Sequence, residues 1–298
     1  MPSDPFVPPP AVDDGDPYIP DAGTRLHGLA LGIDVGGTGV KAALVDLETA
    51  ELASPRVREK TPQPATPEAV AETIASVVAK VLEGRDVPAD LPVGCGLPGV
   101  VKKGCLKTAA NIDAGWVDWP AEERIGEAIG RRVWIINDAD AAGLAEVAYG
   151  TGANQPGTVL LLTIGTGIGS ALFLDGRLVP NTEFGHLEMR GKDAETLVSG
   201  AARERRELGW KAWTKEFNSY IARVETYFWP DLLIYGGGVS KEWSKWGRWS
   251  ETRAPVVLAR FLNTSGIIGA AYAGAAAHHA ELTKRGAPPA GAPDTPGH

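Results

Sequence analysis

Three glycine-rich turns in this 298-residue chain have residue types that can hold a phosphate chain. They read DVGGTG from Asp34, TIGTGIGS from Thr163 and GGGVS from Gly236. Glycine lets the backbone approach an anion closely, and successive N–H groups in such turns form an anion-binding concavity. One glycine turn alone is also typical of a tight hairpin. Two related turns, one in each half of the chain, can hold a phosphate chain from both sides.

The first turn is neither of two common phosphate motifs. It lacks the Gly-Lys-Ser/Thr of a P-loop, and a strand follows it, whereas a helix follows a dinucleotide fingerprint. Asp34 is a candidate Mg²⁺ ligand, because Mg²⁺ prefers one or two carboxylates plus substrate phosphates. No Cys/His cluster has the spacing of a zinc site. The predicted phosphate-binding residues are Asp34, Gly36, Gly37, Thr38, Lys41, Thr163, Gly165, Thr166, Gly167, Gly237 and Gly238.

Asp138 is the candidate catalytic residue. It follows the apolar run Val133–Ile136, at the end of a strand where open α/β sheets place their ligand crevice. Transfer of a phosphoryl group to a hydroxyl needs a carboxylate that can accept the hydroxyl proton. The alternative is that Asp138 caps a helix starting at Ala139, since Asp is favoured at that position. Both roles can coexist.

Hydrophobic periodicity predicts a duplicated α/β arrangement. Each half begins with a strand, a Gly/Thr turn and a second strand, and the two units lie about 129 residues apart. Strands are predicted at 29–34, 40–47, 52–57, 91–97, 133–136, 159–164, 168–174 and 232–235. Helices are predicted at 67–81, 121–129, 139–149, 194–208, 214–228 and 266–280.

Four motifs in fixed order resemble the ROK family of sugar kinases: DVGGT from Asp34, NDA from Asn137, TIGTG from Thr163 and EFGH from Glu183. The resemblance covers essentially the whole body and implies a two-lobed actin-like fold, RNase H-like and duplicated, with the active site between the lobes. Residues 107–112 (KTAANI) and 185–195 (GHLEMRGKDAE) resemble the polyphosphate-using glucokinase branch. That branch implies phosphoryl transfer from polyphosphate, with ATP as a further donor and Mg²⁺ as cofactor, to the 6-hydroxyl of glucose.

The resemblance also assigns the sugar site, and it leaves one residue open. The sugar-binding residues it implies are Gly96, Gly99, Asn111, Asn137, Asp138, Glu183, His186 and Glu195. Most family members follow Glu-x-Gly-His with a cysteine-rich zinc motif, but no cysteine follows Cys105 here. Glu195 is the candidate for the second sugar-binding glutamate, and a solvated helix carboxylate is the alternative.

Charge and composition divide the chain into a body and two tails. The net charge is −8, and residues 1–24 hold five Asp, seven Pro and no Lys or Arg. We expect 1–24 and 283–298 to be disordered, because neither can bury enough apolar surface to compensate the entropy of ordering. The small lobe is predicted to comprise 25–137 plus the helix 266–282, and the large lobe 138–265.

Within the acidic body, residues 198–260 carry 11 Lys+Arg and 7 Asp+Glu. This basic segment is a candidate groove for polyphosphate, and solvated faces are the alternative. Trp243, Trp246 and Trp249 recur every third residue there, which favours a packed or partner-facing helix edge over a nucleic-acid platform.

The sequence leaves several functional alternatives. One is an ATP-only hexokinase for glucose, mannose, fructose or an N-acetylhexosamine. Another is a sugar-sensing ROK regulator, which would need a DNA-binding domain where this chain has its Pro/Asp tail. A third, an actin-like filament protein, would not need Glu183 and His186.

The acidic charge disfavours nucleic-acid and membrane partners. The absence of a signal-type segment and the presence of only two cysteines predict a cytoplasmic protein, and the resemblance implies a homodimer.

Overall fold

Two β-sheets, each flanked by helices, make up the part of the chain that the computed structural model describes, residues 21–109 and 112–284. The elements of the first half are β1 (Leu29–Gly36), β2 (Gly39–Asp46), β3 (Glu51–Leu52), β4 (Val57–Glu59), α1 (Pro67–Leu82), β5 (Val93–Leu97), β6 (Val101–Lys102), β7 (Cys105–Leu106), α2 (Ala121–Ile129), β8 (Trp134–Asn137) and α3 (Asp138–Tyr149). Those of the second half are β9 (Thr158–Ile164), β10 (Ile168–Leu174), β11 (Arg177–Val179), β12 (Glu188–Met189), β13 (Lys192–Asp193), α4 (Glu195–Val198), α5 (Gly200–Arg205), α6 (Trp210–Phe228), β14 (Leu232–Gly236), α7 (Gly237–Ser240), α8 (Trp243–Trp246), β15 (Val256–Leu258) and α9 (Ser265–Lys284).

The two sheets repeat the same connectivity. In the first, β1 pairs antiparallel with β2 and parallel with β5, and β8 follows, giving the order β3-β2-β1-β5-β8 with β4 also on β2. In the second, β9 pairs antiparallel with β10 and parallel with β14, giving the order β11-β10-β9-β14-β15. The duplicated strand–turn–strand pattern predicted from sequence is therefore present in the fold.

Period-2 alternation in β1 explains how the first sheet is covered on both faces. Leu31 and Ile33 pack with the buried stripe of α1, whereas Ala30 packs on the other face with α9. The start of α1 follows from local chemistry, because Thr66 Oγ1 accepts from the Ala69 N–H and Pro67 occupies the first turn.

Three sequence expectations about the elements were wrong in detail. The helix predicted at 194–208 is broken by Ser199, whose backbone is extended and whose side chain caps α5 by accepting from Ala202 N. The strand predicted at 52–57 is two short strands, β3 and β4, separated by a segment containing Pro55. The last helix continues through Lys284.

The end of the predicted N-terminal tail, residues 21–24, packs on the body. Ala22 N donates to the Gly176 carbonyl at 3.0 Å, and the Tyr272 hydroxyl donates to the Asp21 and Thr24 carbonyls. The residues in contact are far apart in the sequence, so composition alone could not reveal these contacts. Residues 1–20 and 285–298, and the disorder expected there, lie outside the described residues.

The structure also places the tryptophan run and the two cysteines. Trp246 is fully buried in the core with Trp213 and Phe217, so the packed alternative for the tryptophan run is confirmed there. Cys95 and Cys105 are both free thiols. Within the described residues, no helix is long and apolar enough to cross a membrane.

Helix α9 packs against the first sheet and against α3 through backbone contacts that only glycine permits. A Cβ at Gly269 would lie 1.6 Å from the carbonyl oxygen of Ala141 in α3, and one at Gly94 of β5 would lie 1.7 Å from the Ala270 carbonyl oxygen. Each clash is with backbone, which cannot rotate away. The small residues of α9 therefore set how closely α3 and the first sheet approach it.

We expect Gly269→Ala to lower the free energy of unfolding by about 2–3 kcal/mol and Tm by about 5–10 °C, because the added methyl overpacks a backbone contact. Thermal melts would measure it. Gly209→Ala is the control, since a Cβ there meets nothing within 4 Å and Gly209 φ is −64°; its cost should stay within about 1 kcal/mol. Equal melting of the two variants would contradict the packing argument.

Candidate active site

A cleft of about 500 Å³ opens between the two sheets and gathers most of the predicted site residues. Its walls come from the first glycine turn, the start of α3, the second glycine turn and the segment around Glu183. The predicted residues that line it are Gly36, Gly37, Thr38, Gly99, Asn137, Asp138, Thr163, Gly165, Thr166, Gly167, Glu183, His186, Glu195 and Gly237.

Asp138 begins α3 at the floor of this cleft. The cap of α3 is Asn137, whose Oδ1 accepts from Ala139 N at 2.9 Å and Asp140 N at 3.0 Å. Asp138 Oδ1 also accepts from Ala139 N, at 2.8 Å. Asn137 already caps the helix, so the capping alternative does not account for the carboxylate of Asp138.

The electrostatic setting of Asp138 suits a proton acceptor. Burial, followed by the nearby negative charges of Asp34 and Glu183, raises the pKa of Asp138 to about 7, although the hydrogen bond from Ala139 N opposes the rise. A general base works best when its pKa lies near the operating pH.

Polar side chains on the second-sheet side of the cleft match the hydroxyls of a sugar. His186 Nδ1 lies 2.8 Å from Asp193 Oδ2, and His186 Nε2 lies 3.8 Å from Glu183 Oε2. The hydrogen bond with Asp193 raises the pKa of His186, whereas burial raises the pKa of Glu183. Asp193 was not singled out from the sequence, although it lies inside the 185–195 motif.

Glu195 turns into the cleft from the start of α4. Its Oε2 accepts from Ile168 N at 3.1 Å, and a Cβ at Gly167 would lie only 2.3 Å from that oxygen. The carboxylate thus lies beside the second glycine turn, close to His186 and Glu183 in the cleft wall. This position favours the sugar-binding prediction over a solvated helix carboxylate.

The loop after β5 supplies the opposite wall. Asn137 Nδ2 donates to the Gly99 carbonyl at 3.1 Å and lies 3.5 Å from Glu183 Oε1. Asn137 thus links this loop (residues 98–100, here called the sugar loop) to the segment around Glu183. Thr108, which sequence reasoning did not select, lines the cleft and accepts from Val100 N. The predicted ligand Asn111 lies outside the described residues.

Gly96 is not placed as a ligand. It lies fully buried within β5, where a Cβ would be 3.6 Å from the α carbon of Asp138. A Cβ at this distance would make ordinary van der Waals contacts, and Gly96 is not among the residues that line the cleft. The sugar contact of Gly96 stays a prediction.

Both glycine turns are held by surrounding hydrogen bonds. In the first, the Gly36 carbonyl accepts from Thr61 Oγ1 at 2.5 Å and the Thr38 carbonyl accepts from Arg58 Nη2 at 2.9 Å. In the second, Gly165 N donates to the Gly167 carbonyl at 3.0 Å. Gly237 has φ of 78° and approaches the backbone of Ile164, where a Cβ would lie 2.5 Å from its carbonyl oxygen.

Asp34 and Lys41 are not among the residues that line the cleft, although Asp34 lies near enough to Asp138 for its charge to raise the pKa of that residue. Lys41 Nζ donates to Asp34 Oδ2 at 2.7 Å, and the Asp34 carboxylate also faces Gly266 at the start of α9. The predicted residue Gly238 lines a neighbouring cavity, which Arg203, Trp210 and other residues of the basic segment also line.

A buried polar network that the sequence did not reveal joins the cleft walls. The amide of Asn181 pairs with both backbone groups of Val101, at 2.7 and 3.0 Å, and Asn181 N donates to Asp140 Oδ2 at 2.7 Å. Burial raises the pKa of Asp140 to about 8. The network holds the sugar loop against the segment that carries Glu183.

The comparisons with known proteins agree with this geometry. The ROK family model matches residues 30–205. A polyphosphate glucokinase of Mycobacterium tuberculosis (strain CDC 1551) is 49% identical over 258 residues, which are 86% of this chain and 94% of that protein.

Two solved structures are also similar. The inorganic polyphosphate/ATP-glucomannokinase from Arthrobacter sp. strain KM has a TM-score of 0.79 and 48% identity, covering 82% of this chain and 97% of that chain. A ROK family glucokinase from Streptomyces griseus, in complex with glucose and AMPPNP, has a TM-score of 0.68 and 26% identity, covering 82% and 98%. The chain therefore belongs to the ROK family, and its fold is the two-lobed actin-like α/β fold of ROK sugar kinases.

Proposed function

We propose that this protein is a polyphosphate–glucose phosphotransferase, which moves the terminal phosphoryl group of inorganic polyphosphate to the 6-hydroxyl of glucose and forms glucose 6-phosphate. The observation that carries the proposal is the half-buried carboxylate of Asp138, placed between sugar-type side chains and two glycine turns. The similar polyphosphate glucokinase and the polyphosphate/ATP-glucomannokinase structure support the donor and the acceptor.

In this mechanism the sugar is oriented before transfer. Asn137, Glu183, His186 and Glu195 bind its hydroxyls, with Asp193 keeping the His186 ring in place. Asp138 then accepts the proton of the 6-hydroxyl as that oxygen attacks the terminal phosphorus in line. Phosphoryl transfer depends mostly on positioning and on charge stabilisation.

The two glycine turns hold the donor. Backbone N–H groups at Gly36–Thr38 and at Thr166–Gly167 face the phosphates, with the hydroxyls of Thr38 and Thr166 as further donors. The N–H of Gly165 instead donates to the Gly167 carbonyl within the turn. Such fixed dipoles stabilise charge that develops in the transition state. Gly237, at the start of α7, receives the more distant phosphates.

Asp34 fits the Mg²⁺ role that the family implies. Its carboxylate lies near Asp138, and Mg²⁺ in such sites needs only one or two carboxylates because phosphates complete its shell. When bound, the ion would neutralise phosphate charge. No group of three or more metal-ligating His, Cys, Asp or Glu side chains occurs among the described residues.

Other parts of the proposal do not follow from the geometry of the cleft but from the resemblance to the family. ATP is a second donor, mannose a second acceptor, and the protein is a cytoplasmic homodimer. An ATP-only hexokinase is the main alternative. Measuring glucose 6-phosphate formed from polyphosphate and from ATP separates the two, and no product with polyphosphate overturns the proposed donor.

Asp138→Asn should lower kcat by about 10²–10⁴-fold, because an amide cannot accept the hydroxyl proton. The Asn137 cap remains, so Tm should change little. Steady-state assays with glucose would measure the loss. Asp175→Asn, at an exposed carboxylate that accepts from Gly157 N, is the matched control and should keep full kcat. Near-normal kcat in Asp138→Asn would refute the proposed base.

The acid limb of kcat/KM for glucose should have its midpoint near pH 7, where Asp138 loses its proton. Activity should rise with pH through this range, because only the carboxylate accepts a proton. Asp34→Asn removes a negative charge that raises the pKa of Asp138, so the midpoint should move to lower pH. Glu48→Gln, at an exposed carboxylate, should leave it in place. A midpoint that Asp34→Asn does not move would contradict this coupling.

Glu195→Gln should raise KM for glucose about tenfold or more, since a hydrogen bond between a charged group and a sugar hydroxyl contributes about 1.5–3 kcal/mol. KM for the donor should change much less. Glu188→Gln, an exposed glutamate of the same segment, is the control. Equal glucose KM values in the two variants would instead favour a solvated role for Glu195.

A further inference from the structure

A row of charged side chains crosses three strands of the first sheet and leads out of the cleft. Asp34 of β1 is opposite Lys41 of β2, and Lys41 is opposite Arg58 of β4. Directly opposite residues project from the same face of a sheet, about 4.5–5.5 Å apart at Cβ. The row thus begins beside Asp138 and ends at the exposed Arg58.

Arg58 is coupled to the first glycine turn. Its Nη2 donates to the Thr38 carbonyl at 2.9 Å, and a Cβ at Gly39 would lie 2.7 Å from Arg58 Nε. Arg56 directly precedes β4, two residues before Arg58. Two guanidinium groups therefore continue outward from the proposed phosphate-binding turn.

A third cation reaches the same place from the second sheet. Lys241 directly follows α7, whose first residue Gly237 lines the cleft. Lys241 Nζ donates to Asn263 Oδ1 at 2.7 Å, and Arg56 Nη1 lies 3.4 Å from the carbonyl oxygen of that asparagine. Cations from both sheets thus meet at Asn263, on the outer side of the glycine turns.

The partners of these three cations are neutral. Among the described residues, Arg56, Arg58 and Lys241 donate to carbonyl or amide oxygens and form no ion pair, and all three are exposed. Three cations of the basic segment differ, since Arg203, Arg206 and Lys245 pair with carboxylates. An anion can therefore bind the three without first displacing a carboxylate.

We propose that Arg56, Arg58 and Lys241, here called the exit cations, bind the part of a long polyphosphate chain that extends beyond the phosphates held at the glycine turns. This inference rests on the proposed function. Only the terminal phosphoryl group reacts, so the rest of a long donor has to leave the cleft, and each of its internal phosphates carries negative charge.

The neighbouring cavity is a less favourable way out for a polyanion. It is lined by Arg203 and Lys245, but also by Glu204 and Glu242, which pair with them. Arg203 additionally stacks on Trp210, 4.1 Å from the ring centroid. Its cations therefore have carboxylate partners, whereas the exit cations have neutral ones.

The test compares donors of two lengths, long-chain polyphosphate and tripolyphosphate, in the full chain with saturating glucose. In the triple variant Arg56→Ala, Arg58→Ala, Lys241→Ala, the ratio of kcat/KM for the long donor to that for tripolyphosphate should fall about tenfold, equivalent to about 1.4 kcal/mol. The salt dependence of long-chain use should also weaken, because fewer counterions are released. A ratio changes only if contacts beyond the first phosphates are lost, so a disturbed glycine turn would not mimic it.

The matched control removes two arginines and one lysine elsewhere, in Arg85→Ala, Arg223→Ala, Lys215→Ala; all three are exposed, and the two arginines donate to carbonyl oxygens. This control should keep the wild-type ratio. An unchanged ratio in the exit variant, or an equal fall in the control, overturns the inference while leaving the proposed function intact. If the wild-type protein used neither long-chain polyphosphate nor tripolyphosphate, the proposed donor itself would be overturned.

Discussion

The geometry of the proposed active site depends on the contact between α9 and α3. The backbones touch because Gly269 lies against the carbonyl of Ala141, and glycine at position 94 admits α9 against β5 in the same way. The start of α3 carries Asp138, and the start of α9 faces Asp34. Asp34 lies on β1 and Asp138 directly follows β8 of the same sheet, so the packing of α9 against α3 and β5 fixes how far apart these two carboxylates lie.

That separation has an electrostatic consequence. Folding places the carboxylates of Asp138 and Glu183 in one cleft and that of Asp34 close by. Burial is the main cause that raises the pKa of Asp138, to about 7, and the negative charges of Asp34 and Glu183 add to this rise. Lys41 and His186 each make a hydrogen bond with another carboxylate, Lys41 with Asp34 at 2.7 Å and His186 with Asp193 at 2.8 Å. A pKa near neutrality is what a proton acceptor needs.

Local features were predictable from sequence, whereas long-range pairings were not. The glycine turns, the Thr66 and Pro67 start of α1 and the strands beside the turns follow from nearest neighbours in the chain. The pairing of Asn181 with Val101 spans 80 residues, and no periodicity encodes it. The break at Ser199 was missed because a cap inside an apolar pattern resembles an ordinary helical residue. Glu195 was found only through the family motif.

Which cations are available to bind an anion could be predicted only in part from the sequence. The sequence concentrates positive charge in residues 198–260, but the fold uses much of it internally: Arg206 is paired with Glu216, and Arg253 stacks on Trp229. The cations that remain available near the donor turns include Arg56 and Arg58, from a part of the chain with no marked basic excess. What attracts a polyanion is therefore the set of cations whose partners are neutral, and that set is decided by strand register and by loops meeting at Asn263, not by composition.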